Sequence, residues 1–122
     1  EYSNNTVQVS KSVLSRIKAS YAIRNAQAVF AKQQIDASPY PCIVSADIND
    51  VPNSFAYFTL KKGLKDAFLE KGFGLGKTFR FISPTLRIDY LFISNGFNIK
   101  QYTTLNLPYS DHYPIITDIT FE

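Results

Sequence analysis

Sulfur-containing side chains are almost missing from the sequence, which holds one cysteine and no methionine. A single cysteine cannot form an internal disulfide, which excludes the small folds that depend on a disulfide framework. The apolar run around Cys42 indicates a buried structural thiol instead. Long apolar runs are also missing: no stretch approaches the length of a transmembrane segment, and no targeting signal assigns a compartment. Histidine occurs once, so any imidazole chemistry in this chain depends on His112 alone.

The residues that are present indicate one globular domain. The chain has 122 residues, of which 45% are hydrophobic and 15% aromatic, enough for a single core. No repeat, low-complexity tract or linker divides it, so residues 1–122 are predicted to form one domain. The formal net charge of +3 is compatible with a polyanionic partner and does not by itself identify one.

Residue periodicity predicts a long helix followed by strands and one short helix. Apolar residues recur at helical spacing from Ser12 to Ile35, with Ser20 as a point where the helix could divide in two. Apart from Arg87 and Asp89, the strand Arg87–Ser94 is apolar on both faces, which places it in the centre of a sheet. These patterns predict an α/β (α+β) fold: a mixed, mainly antiparallel sheet with helices on one face. The other predicted elements are strands at Thr6–Ser10, from Ile43, and at Thr78–Ile82, Phe97–Thr103 and Pro114–Phe121, a helix at Ser54–Leu60 with Phe55, Phe58 and Leu60 buried, and loops at Leu64–Lys77 and Leu105–Tyr113.

Polar residues interrupt the apolar pattern at three places, which hold the candidate site residues. Asp47 and Asn49 end the first apolar strand, two residues apart, so on an extended backbone they point to the same side. The alternative is an ordinary turn, because Asx side chains bond their own backbone. Asp89 lies inside an apolar run, where an unpaired carboxylate is costly. Asp111 and His112 precede the last strand, and an Asp–His pair fixes the imidazole tautomer and favours its charged form.

The same three places carry a family resemblance. They read Ser-Ala-Asp-Ile-Asn-Asp, then Leu-Arg-Ile-Asp-Tyr-Leu-Phe, then Ser-Asp-His-Tyr-Pro-Ile, and together they cover Ile43 to Ile116. Their order and spacing resemble the C-terminal half of the endonuclease/exonuclease/phosphatase superfamily, the DNase I-like metal-dependent phosphoesterases. The segment Ala22–Gln34 is similar to the helix before the first motif in bacterial members. The resemblance implies half of a four-layer sandwich, in which two sheets are flanked by helices.

The resemblance also implies a role for each candidate residue. Asp47 would orient or deprotonate the attacking water, and Asn49 would hydrogen-bond the scissile phosphate. His112 would stabilise the charged phosphorane-like state, with Asp89 holding it in place. Asp111 would help to bind the divalent metal, directly or through water. A base, a cation and oriented donors around a pentavalent phosphorus are what phosphoester hydrolysis requires.

The sequence departs from the family pattern in two ways. Ala46 stands where the family usually has glycine. More importantly, the family's N-terminal half supplies an Asn and a Glu that ligate the metal, and neither motif is found here. The chain is therefore expected to be the C-terminal portion of a domain whose complete form uses Mg²⁺ or Mn²⁺, and to be inactive in isolation.

Two classes of function follow. The first is a metal-dependent phosphoesterase, a nuclease or a phosphatase, that hydrolyses a phosphodiester or phosphomonoester of nucleic acid, lipid or another alcohol by activated water. The second is a non-catalytic module that binds a polyanion or associates with itself. Because the predicted helices cover one sheet face, the other is expected to meet either the missing N-terminal half or a second copy.

Overall fold

The computed structural model describes the backbone of residues 2–83 and 85–122 and the side chains of residues 11, 13–83 and 85–122. Within these described residues, three helices and five strands follow one another. They are α1 (Tyr2–Asp36), β1 (Ile43–Asp47), α2 (Phe55–Lys61), β2 (Lys65–Asp66), α3 (Ala67–Lys71), β3 (Asp89–Ile93), β4 (Phe97–Thr104) and β5 (Ile115–Phe121). The mixture of helices and antiparallel strands confirms the predicted fold class.

The predicted long helix is present as α1, and it is longer than expected. It includes Thr6–Ser10, so the strand predicted there is wrong, and it continues unbroken through Ser20. The sequence before Pro39 contains no glycine and no proline, so no residue in it strongly opposes a helix. The helix ends at Asp36, close to the proline that disfavours helical backbone in the residue before it. Among the helices in the described part of the chain, none combines the length and apolar character that crossing a membrane requires.

The strands form two antiparallel units rather than one sheet. Strands β1, β3 and β2 pair in that spatial order, so β3 is the central strand, as the apolar pattern of Arg87–Ser94 predicts. Strands β4 and β5 form a separate two-stranded ribbon with a register shift between Ile99 and Gln101. Within the described residues every pairing between these strands is antiparallel.

The central strand β3 contributes side chains to two cores. Tyr90 and Phe92 pack with the buried residues of α1 and α2 on one face. On the other face, Ile93 is fully buried and Leu91 packs against apolar residues of α3, β4 and β5. The predicted placement of α1 and α2 on one face is therefore found. The opposite face is partly covered within the chain, by the β4–β5 ribbon, which the sequence analysis did not anticipate.

Four local predictions are wrong in whole or in part, because tertiary packing outweighs the local pattern. The predicted strand Thr78–Ile82 is reduced to an isolated bridge at Phe79. The predicted loop Leu64–Lys77 contains β2 and α3. In α2 the buried residues are Ala56, Tyr57 and Leu60, whereas Phe55 and Phe58 are more than half exposed. Cys42, predicted to be buried, is only partly buried.

A buried ion pair joins Asp66 of β2 to Arg87, which lies just before β3. Arg87 Nη1 donates to both carboxylate oxygens of Asp66, at 3.0 and 2.8 Å, and the two side chains are 4% and 0% exposed. The Tyr57 hydroxyl donates to the same carboxylate at 2.7 Å. Burial, followed by this hydrogen bond, raises the pKa of Tyr57 to about 12, so the phenol stays protonated and keeps donating. The guanidinium also lies over the rings of Phe68 and Tyr90, at 4.6 and 4.8 Å.

The substitution Asp66→Asn is expected to lower the free energy of unfolding by about 3–5 kcal/mol, because it leaves the Arg87 charge buried without a counter-charge. Urea denaturation measures the change. The matched control is Asp36→Asn, which removes an ion pair to Lys32 from a carboxylate that is 62% exposed. The control is expected to cost less than about 1 kcal/mol. If both variants lost the same free energy of unfolding, the buried pair would not stabilise the fold more than an exposed pair does, and the prediction would be contradicted.

Candidate active site

Two carboxylates face each other at one end of the sheet, where β1 ends and β3 begins. Asp47 is the last residue of β1 and Asp89 the first of β3, and the antiparallel register pairs them directly. Paired residues of neighbouring strands project their side chains from the same face, so the two acids are neighbours. Like charges in this position repel each other, so a cation or a proton donor close by stabilises the arrangement. The register of the sheet therefore creates a site for positive charge.

The imidazole of His112 occupies that position. Its Nδ1 lies 2.9 and 3.1 Å from the two carboxylate oxygens of Asp89, the hydrogen-bonding contact that the resemblance implies. Its Nε2 lies 4.0 Å from Asp47 Oδ2. Each of the three residues offers one ligand atom, and these atoms lie within 4.8 Å of one another. We call Asp47, Asp89 and His112 the acid–histidine cluster.

Residues 78–80 hold His112 against Asp89. Phe79 forms a backbone bridge with His112, the amide of Arg80 donates to the Asp111 carbonyl, and the amide of Tyr113 donates to the Thr78 carbonyl. The fully buried hydroxyl of Thr78 accepts the backbone amides of Ile88 and Asp89, at 3.0 and 3.1 Å. Thr78 thus joins the start of β3 to the segment that carries His112. The sequence does not predict this role, since a single threonine in an apolar stretch carries no signal of it.

The loop after β1 carries Asn49, and it also forms the Asx turn that is the alternative prediction for this segment. The Asn49 amide donates to Asp47 Oδ1 at 2.9 Å, and the Asn49 backbone has a φ of 48°. The next residue, Asp50, anchors the loop: its carboxylate pairs with Arg24 of α1 at 3.1 Å and its carbonyl accepts the Tyr90 hydroxyl at 2.8 Å. The turn holds the Asn49 side chain exposed, directly after the cluster.

Asp111 lies next to the cluster in sequence and outside it in space. Its carboxylate is exposed, and it does not belong to the group of acids and histidine that surrounds His112 in the described residues. It is still close enough for its charge to act on the imidazole. The structure thus brings three of the five predicted site residues together, with Asn49 and Asp111 at the margin, and the assigned roles stay predictions.

The surroundings raise the pKa of His112 above its ordinary value. The largest cause is the hydrogen bond to Asp89; partial burial opposes it, and the charges of Asp89, Asp47 and Asp111 add to it. The imidazole therefore stays protonated to a higher pH than a solvent-exposed histidine does. This pair stabilises the folded state fully at pH values below the pKa of the unfolded-state histidine, about 6.5. That stabilisation is lost as the pH rises through the raised pKa of the folded state.

The substitution Asp89→Asn is expected to lower the pKa of His112 toward about 6.5, because it removes the charged partner of the imidazole. As the chain has one histidine, an NMR titration contains a single imidazole signal and needs no assignment. The control is Asp118→Asn on the exposed side of β5, which should leave the pKa unchanged. An unchanged or increased pKa in Asp89→Asn would contradict the role of Asp89.

Comparison with solved structures places this architecture among known folds. An endonuclease/exonuclease/phosphatase family protein of Bacteroides thetaiotaomicron superposes with a TM-score of 0.68 and 23% identity, over 84% of this chain and 45% of that one. A mannosyl-6-phosphatase of the same species gives 0.59 and 24%, over 87% and 46%. A conserved protein of Enterococcus faecalis gives 0.70 and 20%, over 84% and 46%. The chain thus spans less than half the length of each of these structures.

The sequence itself gives a family assignment. No curated protein matches the chain significantly. The sequence profile of the Endonuclease/Exonuclease/phosphatase family matches residues 7–112, which include all five predicted site residues. Together with the fold, this match shows that the chain belongs to the Endonuclease/Exonuclease/phosphatase family.

Proposed function

We propose that this chain is the C-terminal part of a metal-dependent phosphoesterase, a nuclease or a phosphatase that hydrolyses a phosphate ester with an activated water. The acid–histidine cluster is the observation that carries the proposal. It combines two carboxylates and an imidazole of raised pKa within 4.8 Å, at the ends of β1 and β3, where the acids are 49% and 18% exposed. A carboxylate that accepts a proton and an imidazolium that stabilises negative charge are complementary groups for attack on phosphorus.

The geometry supports a division of roles within the cluster. Asp47 is the more exposed acid and lies beyond hydrogen-bonding distance of the imidazole, so one of its oxygens is available to orient or deprotonate water. Asp89 is engaged at 2.9 Å and holds the imidazolium, while the Nε2 side of His112 points toward Asp47. The phosphate would lie against Nε2, with the exposed Asn49 amide donating to a phosphate oxygen. Charge that develops on the phosphoryl oxygens would thus meet a hydrogen-bond donor whose raised pKa favours its positive form.

A divalent cation fits part of this donor set. Mg²⁺ prefers oxygen ligands, keeps several waters and uses one or two carboxylates. Asp47 of the cluster and Asp111, next to His112 in sequence, both have exposed carboxylates. These two residues would hold the ion, which would supply a Lewis acid for the phosphoryl oxygen. Asp89 suits this purpose less well, because both of its oxygens face the imidazole nitrogen. The donors offered by this chain are few, so we expect its own affinity for Mg²⁺ or Mn²⁺ to be low.

The proposed substrate is a phosphoester, and one of the similar structures bears on the kind of ester. One of the similar structures is described as a mannosyl-6-phosphatase, which supports phosphomonoester hydrolysis for a chain of this fold. Because the chain spans only about 45% of such structures, we propose that full activity needs a further part of the domain, and that these 122 residues alone turn over little substrate.

The substitutions Asp47→Ala and His112→Ala are each expected to lower kcat by at least about 100-fold, while the melting temperature stays nearly constant. The assay uses a generic phosphodiester, a phosphomonoester and plasmid DNA with Mg²⁺, in this chain and in a form of the same protein extended upstream. Asp118→Asn is the control, with expected wild-type turnover. A large loss of stability with little kinetic effect would favour a structural role for the cluster and overturn the proposal.

A second candidate, a self-associating module, is favoured by the edge strand β1. Within the described part of the chain β1 pairs only with β3, so its other edge is open, and Ile43 on its outer face is 49% exposed. Ile116 and Phe121 of β5 are also exposed, at 45% and 79%. An open strand edge with apolar side chains promotes pairing with another chain. The strand that pairs with this open edge of β1 would come from a second copy of the chain or from the remaining part of the domain.

Sedimentation at tens of micromolar tests this candidate on the 122-residue chain. A dimer is expected, and Ile43→Lys should shift it to a monomer, because the charge would be buried in the contact. Tyr109→Ser is the control, since Tyr109 is 89% exposed in a loop far from β1 in sequence. A wild-type chain that stays monomeric across the concentration range would rule out self-association.

A further inference from the structure

Three surface loops at one end of the molecule expose large apolar side chains. Phe73 is 99% exposed, Ile82 91% and Tyr109 89%, and each has a second exposed apolar residue within two positions of it in the sequence. A single exposed apolar residue is ordinary, whereas a group of them marks an interaction surface. We call the six residues of these loops the apolar rim: Phe73, Leu75, Phe81, Ile82, Leu107 and Tyr109.

Contacts between the loops place the apolar rim at the end of the molecule that carries the acid–histidine cluster. Phe73 lines a cleft with the last two residues of β4, after which the loop of Leu107 begins. Arg80, which precedes the second pair of rim residues, donates to the Leu107 carbonyl. Phe79, beside Arg80, forms the backbone bridge to His112. The three loops are therefore neighbours, and the cluster lies at the same end as they do.

The backbone keeps two of these loops in projecting conformations. Gly74, between Phe73 and Leu75, has a φ of 75°, and a Cβ atom added there would meet no other atom within 4 Å. The tip of this loop is thus surrounded by solvent. Ile82 has a φ of 72°, a conformation that β-branched residues rarely adopt. Strain of this kind concentrates at functional sites, and here it maintains the exposure of an apolar side chain.

The same part of the chain is basic. Residues 71–83 include three basic side chains, Lys71, Lys77 and Arg80, and no acidic one. None of the three forms an ion pair within the described residues, and Lys77 and Arg80 lie over the Tyr113 ring, at 5.9 and 5.7 Å. A protein surface that covered the rim would have to desolvate these charges and supply acids to pair with them. An anionic membrane offers an apolar interior and a negative surface together.

A nucleic-acid strand fits the apolar rim less well. Proteins bind single strands in a basic groove, where aromatic rings stack on successive bases. The rim residues project on loop tips instead of lining a groove, and three of the six are aliphatic and offer no face for stacking: Leu75, Ile82 and Leu107. The composition of the rim therefore favours lipid over nucleic acid.

We propose that the apolar rim inserts into the surface of an anionic lipid membrane, with the three basic side chains at the level of the lipid phosphates. Phe73 and Ile82, the most exposed rim residues, enter the boundary of the acyl chains, and Tyr109 lies at the level of the headgroups, where tyrosine is enriched. The acid–histidine cluster then lies close to the membrane surface. The inference concerns binding alone, which is measured without turnover, so its success or failure is independent of the proposed reaction.

A fluorescence experiment tests insertion directly, because the chain contains no tryptophan. The variant Phe73→Trp places a single indole in the rim, and its emission is recorded with vesicles of phosphatidylcholine, with and without phosphatidylserine. A blue shift and quenching by brominated acyl chains are expected with the anionic vesicles. The control is Tyr40→Trp, because Tyr40 is 77% exposed and precedes β1, at the opposite end of that strand from Asp47. Its emission should not change.

Co-sedimentation with the same anionic vesicles measures the affinity. Phe73→Ser and Ile82→Ser are each expected to weaken binding at least about tenfold, because each withdraws one large apolar side chain from the lipid. Lys71→Gln is expected to weaken binding about fivefold through the loss of one charge near the membrane surface. Tyr40→Ser and Lys18→Gln are the matched controls, since both residues are exposed elsewhere on the molecule, and both variants should bind as wild type does.

Four results would overturn the inference: no binding of the wild-type chain to anionic vesicles, equal blue shifts in Phe73→Trp and Tyr40→Trp, wild-type affinity in both rim serine variants, or a Phe73→Trp signal that responds to oligothymidylate and not to vesicles. The last measurement repeats the co-sedimentation with the protein extended upstream. Retained binding supports the inference. If the extended protein fails to bind vesicles that the 122-residue chain binds, the remaining part of the domain covers the rim and the inference is wrong.

Discussion

The ion pair between Arg87 and Asp66 is the contact on which the rest of the molecule depends. Asp66 belongs to β2, caps α3 by accepting the Phe68 amide, and receives the Tyr57 hydroxyl from α2. Arg87 lies two residues before β3, and its carbonyl accepts the Tyr90 hydroxyl. A single buried charge pair therefore fixes α2, α3, β2 and β3 relative to one another. Its burial is costly, and the four hydrogen bonds that Asp66 accepts, together with the surrounding aromatic rings, offset that cost.

The same strand carries both the core and the candidate site. Beyond Arg87, alternate residues of β3 serve the two faces of the sheet, and the first of them, Asp89, belongs to the cluster. Its partner Asp47 is fixed by sheet register, and His112 comes from the segment before β5. Since each of the three comes from a different element, the chemistry requires the fold. Thr78 illustrates this dependence. Its hydroxyl accepts the amides of Ile88 and Asp89, and its carbonyl accepts the amide of Tyr113, the residue after His112.

How far the sequence predicts this structure depends on the range of the contacts. The helix α1 and the strands β1, β3, β4 and β5 follow from periodicity, since each is long enough to show a pattern. The partnership of Asp89 with His112 was accessible because a buried acid and the only histidine both needed an explanation. The pair of Asp66 with Arg87 was not accessible: twenty-one residues separate them, and each charge seen alone resembles a surface residue. Thr78 and the short elements β2 and α3 were missed for the same reason, as their positions are set by distant partners.

The pairing of β1 with β3 has a consequence for the order of folding. Asp47 and Asp89 are separated by about 40 residues, so their contact closes a long loop and its entropic cost precedes any gain. The β4–β5 ribbon connects residues much closer in sequence, and α1 is wholly local. We therefore expect the helix and the ribbon to form early and the sheet edge with both acids to form late. Until then the two carboxylates lie apart, and the chain acquires its charge cluster only when this part of the sheet forms.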